Sequence, residues 1–273
     1  MYNSFFSNNL VFLFSLLITF SKSQEISFEK IETEIQNLCD TIVNSESDSS
    51  KFLANEKLIK KLKIISRKKK FHKYEFKNYN PITTLSSDDK KLKLFNWFIQ
   101  KKNGKYDYYT YIQKCNKRGK KCNYFLVEGV NDNEIINDKI SYKNWYGCYF
   151  YELITIFVDK KEYYTLLGWD GNGDRTTKKI IEILHFDNDY PFFGAKLFNN
   201  NLHKIILEYS NKYSISLKYD EELDCIVYDH LEPIDGFSYN NFEIYAPNLS
   251  YDVLSRAESG WQIETNVYLN NNK

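Results

Sequence analysis

Residues 92–127 run LKLFNWFIQKKNGKYDYYTYIQKCNKRGKKCNYFLV, and this stretch decides the fold class. Leu92, Leu94, Asn96 and Phe98 fall on one parity, while Lys91, Lys93, Phe95 and Trp97 fall on the other. A period of two is the mark of a strand whose successive side chains point to opposite faces. The alternation predicts one strand over Ile82–Ile99, followed by strands over Tyr106–Lys114 and Asn123–Val127. Lys102-Asn103-Gly104-Lys105 and Arg118-Gly119 supply turn residues between them. Strands joined by turns this short pair as antiparallel neighbours, so the stretch reads as a meander.

A two-residue turn at Arg118-Gly119 sets Cys115 directly opposite Cys122, which makes these two a disulfide candidate. Two unpaired thiols on a hairpin are the alternative. The other cysteines are Cys39, Cys148 and Cys225. Five is odd and too sparse for a disulfide scaffold, and no Cys/His spacing suggests zinc.

Towards the amino terminus the period changes. Ile31, Ile35, Leu38 and Ile42 recur at four, three and four residues, one face of a helix. A polar break, Asn44–Ser50, precedes a second run with Leu58, Leu62 and Ile65. Residues 24–70 therefore read as a helical region containing a hairpin. Its first helix carries Glu29, Glu32 and Glu34, its second Lys57, Lys60, Lys61 and Lys63, so antiparallel packing would oppose unlike charges.

Towards the carboxyl terminus strands are predicted over Tyr149–Val158 and Tyr163–Trp169, joined by Asp159-Lys160-Lys161-Glu162. Thr177–Leu184 reads as a short amphipathic helix, near residues 175–185, capped by Asp174, Thr176 or Thr177. Strands resume at Lys204–Tyr209, Ser214–Tyr219, Cys225–Leu231, Phe242–Ala246 and Gln262–Tyr268. About ten strands with short turns make residues 71–273 one mainly β, antiparallel domain, either a sandwich or propeller-like. Asp88–Trp97 resembles one propeller-blade strand pair, but no second copy recurs at a fixed period.

The chain of 273 residues is 42% hydrophobic, enough to bury a sizeable core, which excludes wholesale disorder. Lys, Asn, Ile, Tyr and Phe, all encoded by AT-rich codons, are abundant together, so lysine runs carry reduced weight. A formal net charge of +1 argues against a dedicated nucleic-acid binder. The charge is unevenly placed: Lys51–Cys122 holds 22 basic and 5 acidic residues. That segment is a candidate face for an anionic surface, the alternative being that it packs against the acidic remainder.

Leu10–Phe20, LVFLFSLLITF, is apolar over 11 residues. As a helix it spans roughly 16 Å, about half of the ~30 Å hydrocarbon core. With Ser21 and Ser23 at −3 and −1 of a cut before Gln24, residues 1–23 read as a signal peptide. Met1–Asn9 lacks the usual Lys or Arg. An uncleaved anchor and a buried segment are the alternatives. Cleavage leaves a mature chain with no transmembrane span.

Leu167-Gly168-Trp169-Asp170-Gly171-Asn172-Gly173-Asp174 is the sharpest local string. Asp170, Asn172 and Asp174 have the alternate oxygen spacing of calcium loops, but Arg175 stands where the loop glycine belongs and Ile181 where the bidentate acid belongs. A turn leaving a strand and capping the next helix explains the same residues. Asp229 and His230, adjacent on a strand, face opposite sides and cannot form a relay together. No nucleophile elbow, HExxH or P-loop occurs, so no catalytic residue is assigned. Tyr245-Ala246-Pro247-Asn248 and Ser250-Tyr251-Asp252 look like rigid turns, and Trp261 like a core anchor or an exposed sugar platform.

The strings Tyr163–Asn172 (YYTLLGWDGN), Lys178-Lys179-Ile180-Ile181, Tyr228-Asp229-His230-Leu231 and Ser250-Tyr251-Asp252 stand together with Ser86-Ser87-Asp88-Asp89 and Asn96-Trp97. They resemble a family of uncharacterised exported bacterial proteins, over most of the mature chain. The resemblance implies export and carries no activity, cofactor or catalytic residue. Asp174 and Arg175 fall where that family varies. The expectation is an exported, periplasmic or envelope-associated protein that binds or scaffolds an envelope component, without nucleic acid and without enzymatic activity. An exported hydrolase of envelope glycan or peptide is the alternative.

Overall fold

The computed structural model describes residues 27–68, 71–77, 79–116, 121–130, 137–171 and 173–267. The expected leader, residues 1–23, and the Arg118-Gly119 turn lie outside them. Helices α1 (Phe28–Asn44) and α2 (Asp48–Ile65) form the hairpin that the periodicity predicts. Each starts at a serine whose hydroxyl accepts from a first-turn amide, Ser27 from Lys30 N at 3.3 Å and Ser47 from Ser50 N at 3.4 Å. Such caps satisfy amides that the helix leaves without partners. Lys61 of α2 pairs with Glu34 of α1, the opposition of charge expected for antiparallel packing.

Fourteen strands are described, in three antiparallel sheets. The first is β1 (Thr83–Ser86), β2 (Leu92–Gln100), β3 (Tyr106–Cys115) and β4 (Cys122–Glu128), in that order. The second runs β5 (Ile140–Ser141), β9 (Tyr190–Phe193), β8 (Thr176–Asp187), β7 (Lys161–Asp170), β6 (Tyr149–Val158). β10 (Lys204–Ser210) pairs with the first half of β8, beside β9 on the second half. The third orders β11 (Leu217–Asp220), β12 (Cys225–Pro233), β13 (Tyr245–Ala257) and β14 (Gly260–Val267).

These elements stack as four layers. One core joins the helices to the first sheet through Ile35, Leu58 and Leu62 against Phe95, Trp97 and Tyr111. A second joins the opposite face of that sheet, Leu94, Tyr108 and Ile112, to Phe150, Leu166 and Leu184 of the next. A third joins Leu167, Ile181 and Ile183 to Leu217, Ile226, Leu254 and Trp261. Each large apolar side chain so buried contributes about 1.5–3 kcal/mol. Stacking face on face selects the sandwich over the propeller. A buried polar tie fixes each interface. Trp97 Nε1 donates to Asn55 Oδ1 at 2.7 Å, Phe150 N donates to Asn96 Oδ1, and Trp261 Nε1 donates to Thr165 Oγ1 at 2.9 Å.

The layering explains where sequence patterns mislead. Thr177–Leu184 is not a helix; it lies within β8, the strand shared by β7, β9 and β10. Both faces of β8 are covered, so Ile180, Ile181, Ile183 and Leu184 are all apolar and the period-two signal vanishes. The run Ile82–Ile99 is two strands, broken by a turn in which Asp89 Oδ1 accepts from Lys91 N at 3.0 Å and Lys90 adopts φ 57°. Tyr245–Asn248 and Ser250–Asp252 belong to β13 rather than to turns, although Leu249 sits at φ 72° where the β12 register shifts. No described helix is long and apolar enough to cross a membrane.

Candidate functional site

The start of β8, the end of β10 and the β12–β13 connection enclose an open cleft of about 480 Å³. Strand pairing builds one wall. The register Glu208↔Lys178 and Ser210↔Thr176 brings Glu208 beside Thr176, whose hydroxyl donates to Glu208 Oε1 at 2.6 Å. Lys178 Nζ lies 3.6 Å from Glu208 Oε2. Asp174 and Arg175, both exposed, precede β8 on this wall.

The other wall is the connection over residues 234–244, where Asn240, Asn241, Phe242 and Glu243 line the cleft. It is tightly organised. Ile234 N donates to Ile244 O at 3.0 Å, and Gly236, at φ 77°, donates to Pro233 O at 2.9 Å. The Ser238 hydroxyl donates to Asp235 Oδ2, and Ser238 N at 2.9 Å and Phe237 N at 3.1 Å donate to Oδ1, which together hold the carboxyl below the usual carboxylate range. Asn240 N donates to Tyr245 Oη at 3.3 Å, and the Phe242 and Tyr245 rings sit 5.1 Å apart. Arg175 Nη1 reaches across to Glu243 Oε1 at 2.9 Å. Beyond the cleft the same connection exposes Phe237 and Tyr239, 78% and 68% accessible.

Chemically, the cleft offers carboxylate and amide acceptors, amide and guanidinium donors, and one ring. That inventory suits a ligand rich in hydroxyls: bidentate hydrogen bonds from carboxylates and amides, and a ring for an apolar face.

Of the residues with calcium-loop spacing, Asp170 and Asp174 are described and lie in different surroundings. Asp170 points inward, where its Oδ1 accepts from Tyr108 Oη at 2.9 Å, and Tyr108 Oη accepts from Gly171 N at 2.9 Å. Burial and the Asp170 charge push the Tyr108 hydroxyl well above its ordinary range. Trp169 packs edge-on against Phe98 and Tyr106. Gly171 fits because an added Cβ would lie 2.3 Å from the Tyr106 ring. The string is therefore a fastener between first and second sheets. Asp174 is on the cleft wall, and Asn172 lies outside the described residues. Among the described residues no group of three His, Cys, Asp or Glu could hold a metal ion.

Cys115 and Cys122 face each other in the β3–β4 register, with Cα atoms 4.0 Å apart and their sulfurs bonded. Cys39, Cys148 and Cys225 are free and buried, and burial pushes the Cys39 thiol up to about 12. His230 and Asp229 do point apart. Asp229 accepts from Ser216 N at 2.6 Å, while His230 Nδ1 lies 2.7 Å from Asp252 Oδ1. His230 Nε2 is 3.5 Å from Glu232 Oε1, so both ring nitrogens face carboxylates and neither is turned to a nucleophile. Trp261 is a core anchor.

A second ionisable cluster is sealed inside. Glu182 and Lys204 are fully buried and directly opposite on β8 and β10, with Nζ and Oε2 3.1 Å apart. Tyr146 Oη donates to the same oxygen at 2.9 Å, and Ile183 N donates to Glu182 Oε1 at 2.9 Å. Desolvation pushes the Glu182 carboxyl up against the pull of Lys204 and Tyr146. Closed to solvent, this cluster is a structural pair.

Glu208, Asn240, Asn241, Phe242 and Glu243 escaped the sequence patterns because strand pairing, not spacing, assembles them. Gly236 and the Asn240-Asn241 pair signal only a turn. The chain matches no family profile, no curated protein and no solved structure.

Proposed function

We propose that the chain is an exported binding protein of the bacterial cell envelope, not an enzyme, and that the cleft takes an envelope glycan. The observation that carries this reading is the cleft itself. Polar side chains of both kinds converge on a rigid strand wall and on a connection ordered by its own hydrogen bonds. Sites of this kind bind with little reorganisation. Export is supported by the signal-peptide pattern and by the Cys115–Cys122 bond, which persists in oxidising compartments.

A hydrolase acting at the same cleft is the second reading, favoured by the presence of two carboxylates, Glu208 and Glu243. Against it, each is engaged by a cation, Lys178 and Arg175 respectively. Isothermal titration with soluble peptidoglycan fragments and other envelope oligosaccharides separates the readings. Binding predicts saturable heat, weakened about tenfold in Asn241→Ala by the loss of one or two hydrogen bonds at about 1 kcal/mol each. Release of new reducing ends, abolished in Glu243→Gln, would establish the hydrolase instead. No heat with any glycan ends both.

A further inference from the structure

We propose that the outer face of α2 docks on an anionic lipid bilayer. α2 lies on the first sheet through Ala54, Leu58, Leu62 and Ile65 and turns its opposite side to solvent. On that side Leu53, Lys57, Lys60 and Ile64 follow at four, three and four residues, one stripe of a helix. Lys63 and Arg67, also exposed, flank the stripe, and Glu56 is the single exposed acid of α2.

Several other cations of the basic segment are used internally. Lys51 donates to Gln100 O at 2.7 Å, Lys61 pairs with Glu34, Lys101 pairs with Asp107 at 2.6 Å, and Lys114 pairs with Glu162 at 2.6 Å. Among the described residues Lys57, Lys60, Lys63 and Arg67 make no ion pair. Part of the positive excess read from the sequence is thus neutralised inside the fold, and a concentrated part of it lies exposed along this helix.

The aliphatic side chains choose the occupant. Leu53 and Ile64 are 53% and 63% exposed among the cations, about 16 Å apart along the axis. A nucleic acid backbone would engage the lysines and leave both aliphatic groups in water. A bilayer takes both: lipid phosphates meet the ammonium and guanidinium groups, and Leu53 and Ile64 enter the headgroup boundary. The helices are an outermost layer, so α2 can lie flat, and the cleft belongs to the layers remote from it.

Flotation of the full chain with phosphatidylglycerol–phosphatidylcholine vesicles, against phosphatidylcholine alone, tests this. The expected result is a preference for the anionic vesicles that collapses between about 0.05 and about 0.5 M salt. Each cation near such a surface is worth about fivefold, so Lys57→Glu/Lys60→Glu should weaken the preference by more than about twenty-fivefold. Leu53→Ser/Ile64→Ser should weaken vesicle binding with the salt dependence kept. All four positions are exposed, so near-ultraviolet dichroism should stay unchanged. Equal flotation with both vesicles, or indifference to Lys57→Glu/Lys60→Glu, overturns the proposal. So does capture by soluble polyphosphate as tight as by vesicles and insensitive to Leu53→Ser/Ile64→Ser.

Discussion

Replacing Lys204 by Met should be among the most damaging single changes in the second sheet. The substitution keeps the volume and removes the cation that faces Glu182 at 3.1 Å, where both side chains are fully buried. Glu182 would keep only the Tyr146 hydroxyl and the Ile183 amide. A buried charge stripped of its partner costs about 3–5 kcal/mol. With a urea slope of about 2 kcal/mol/M, that shifts the unfolding midpoint down by roughly 1.5–2.5 M at pH 7. The double variant Glu182→Met/Lys204→Met removes both charges and should recover much of the loss, because well-packed apolar pairs replace buried ion pairs at little cost. The pH dependence has a definite sign. Burial raises the folded-state pKa of Glu182 above its ordinary 4.5, so in Lys204→Met the folded state holds a proton that the unfolded state releases. The penalty should therefore be full above the raised value and shrink as pH falls through it towards 4.5. A loss below about 1 kcal/mol for Lys204→Met, or a double variant as weak as the two singles added, would refute the reasoning.

His185 is buried between the Tyr163 and Phe192 rings, and desolvation pushes it down from 6.5 to about 4. The unfolded chain then binds the extra proton, so stability measured by urea unfolding should fall as pH drops from 6.5 towards 4, by up to about 3 kcal/mol, a slope that His185→Gln should remove. Gly171→Ala places a methyl group 2.3 Å from the Tyr106 ring and should cost about 1–3 kcal/mol in thermal unfolding; no change would mean that the fastener is loose. Cys115→Ser/Cys122→Ser opens a loop of seven-residue separation and should cost about 2.5 kcal/mol, matched by reducing the parent; equal stability with and without reductant contradicts the bond.

The fold was legible where short turn signals or a helical period mark the elements. The spacing of Ile31, Ile35 and Ile42, and the turn at Asp159-Lys160, where both residues adopt positive φ, are local signals that survive into the structure. Legibility failed at β8, because the stacking of sheets on both sides erases the alternation and leaves a run rich in isoleucine. β-branched enrichment was the remaining cue for a strand there. The candidate site was hidden for a different reason. Asp174 stood out in the sequence, but its companions Glu208 and Asn241 arrive from β10 and the β12–β13 connection, and only the pairing of β10 with β8 makes them neighbours. Asp170, chosen by the same spacing, is committed to Tyr108 one sheet away.

Amide chemical-shift mapping tests the central claim most directly. On adding soluble peptidoglycan fragments to the nitrogen-15-labelled chain, shifts should be confined to Gly173–Thr176, Glu208 and Asn240–Glu243. Saturating shifts that leave those amides untouched and gather elsewhere, at α2 or around His230 and Asp252, would contradict the account.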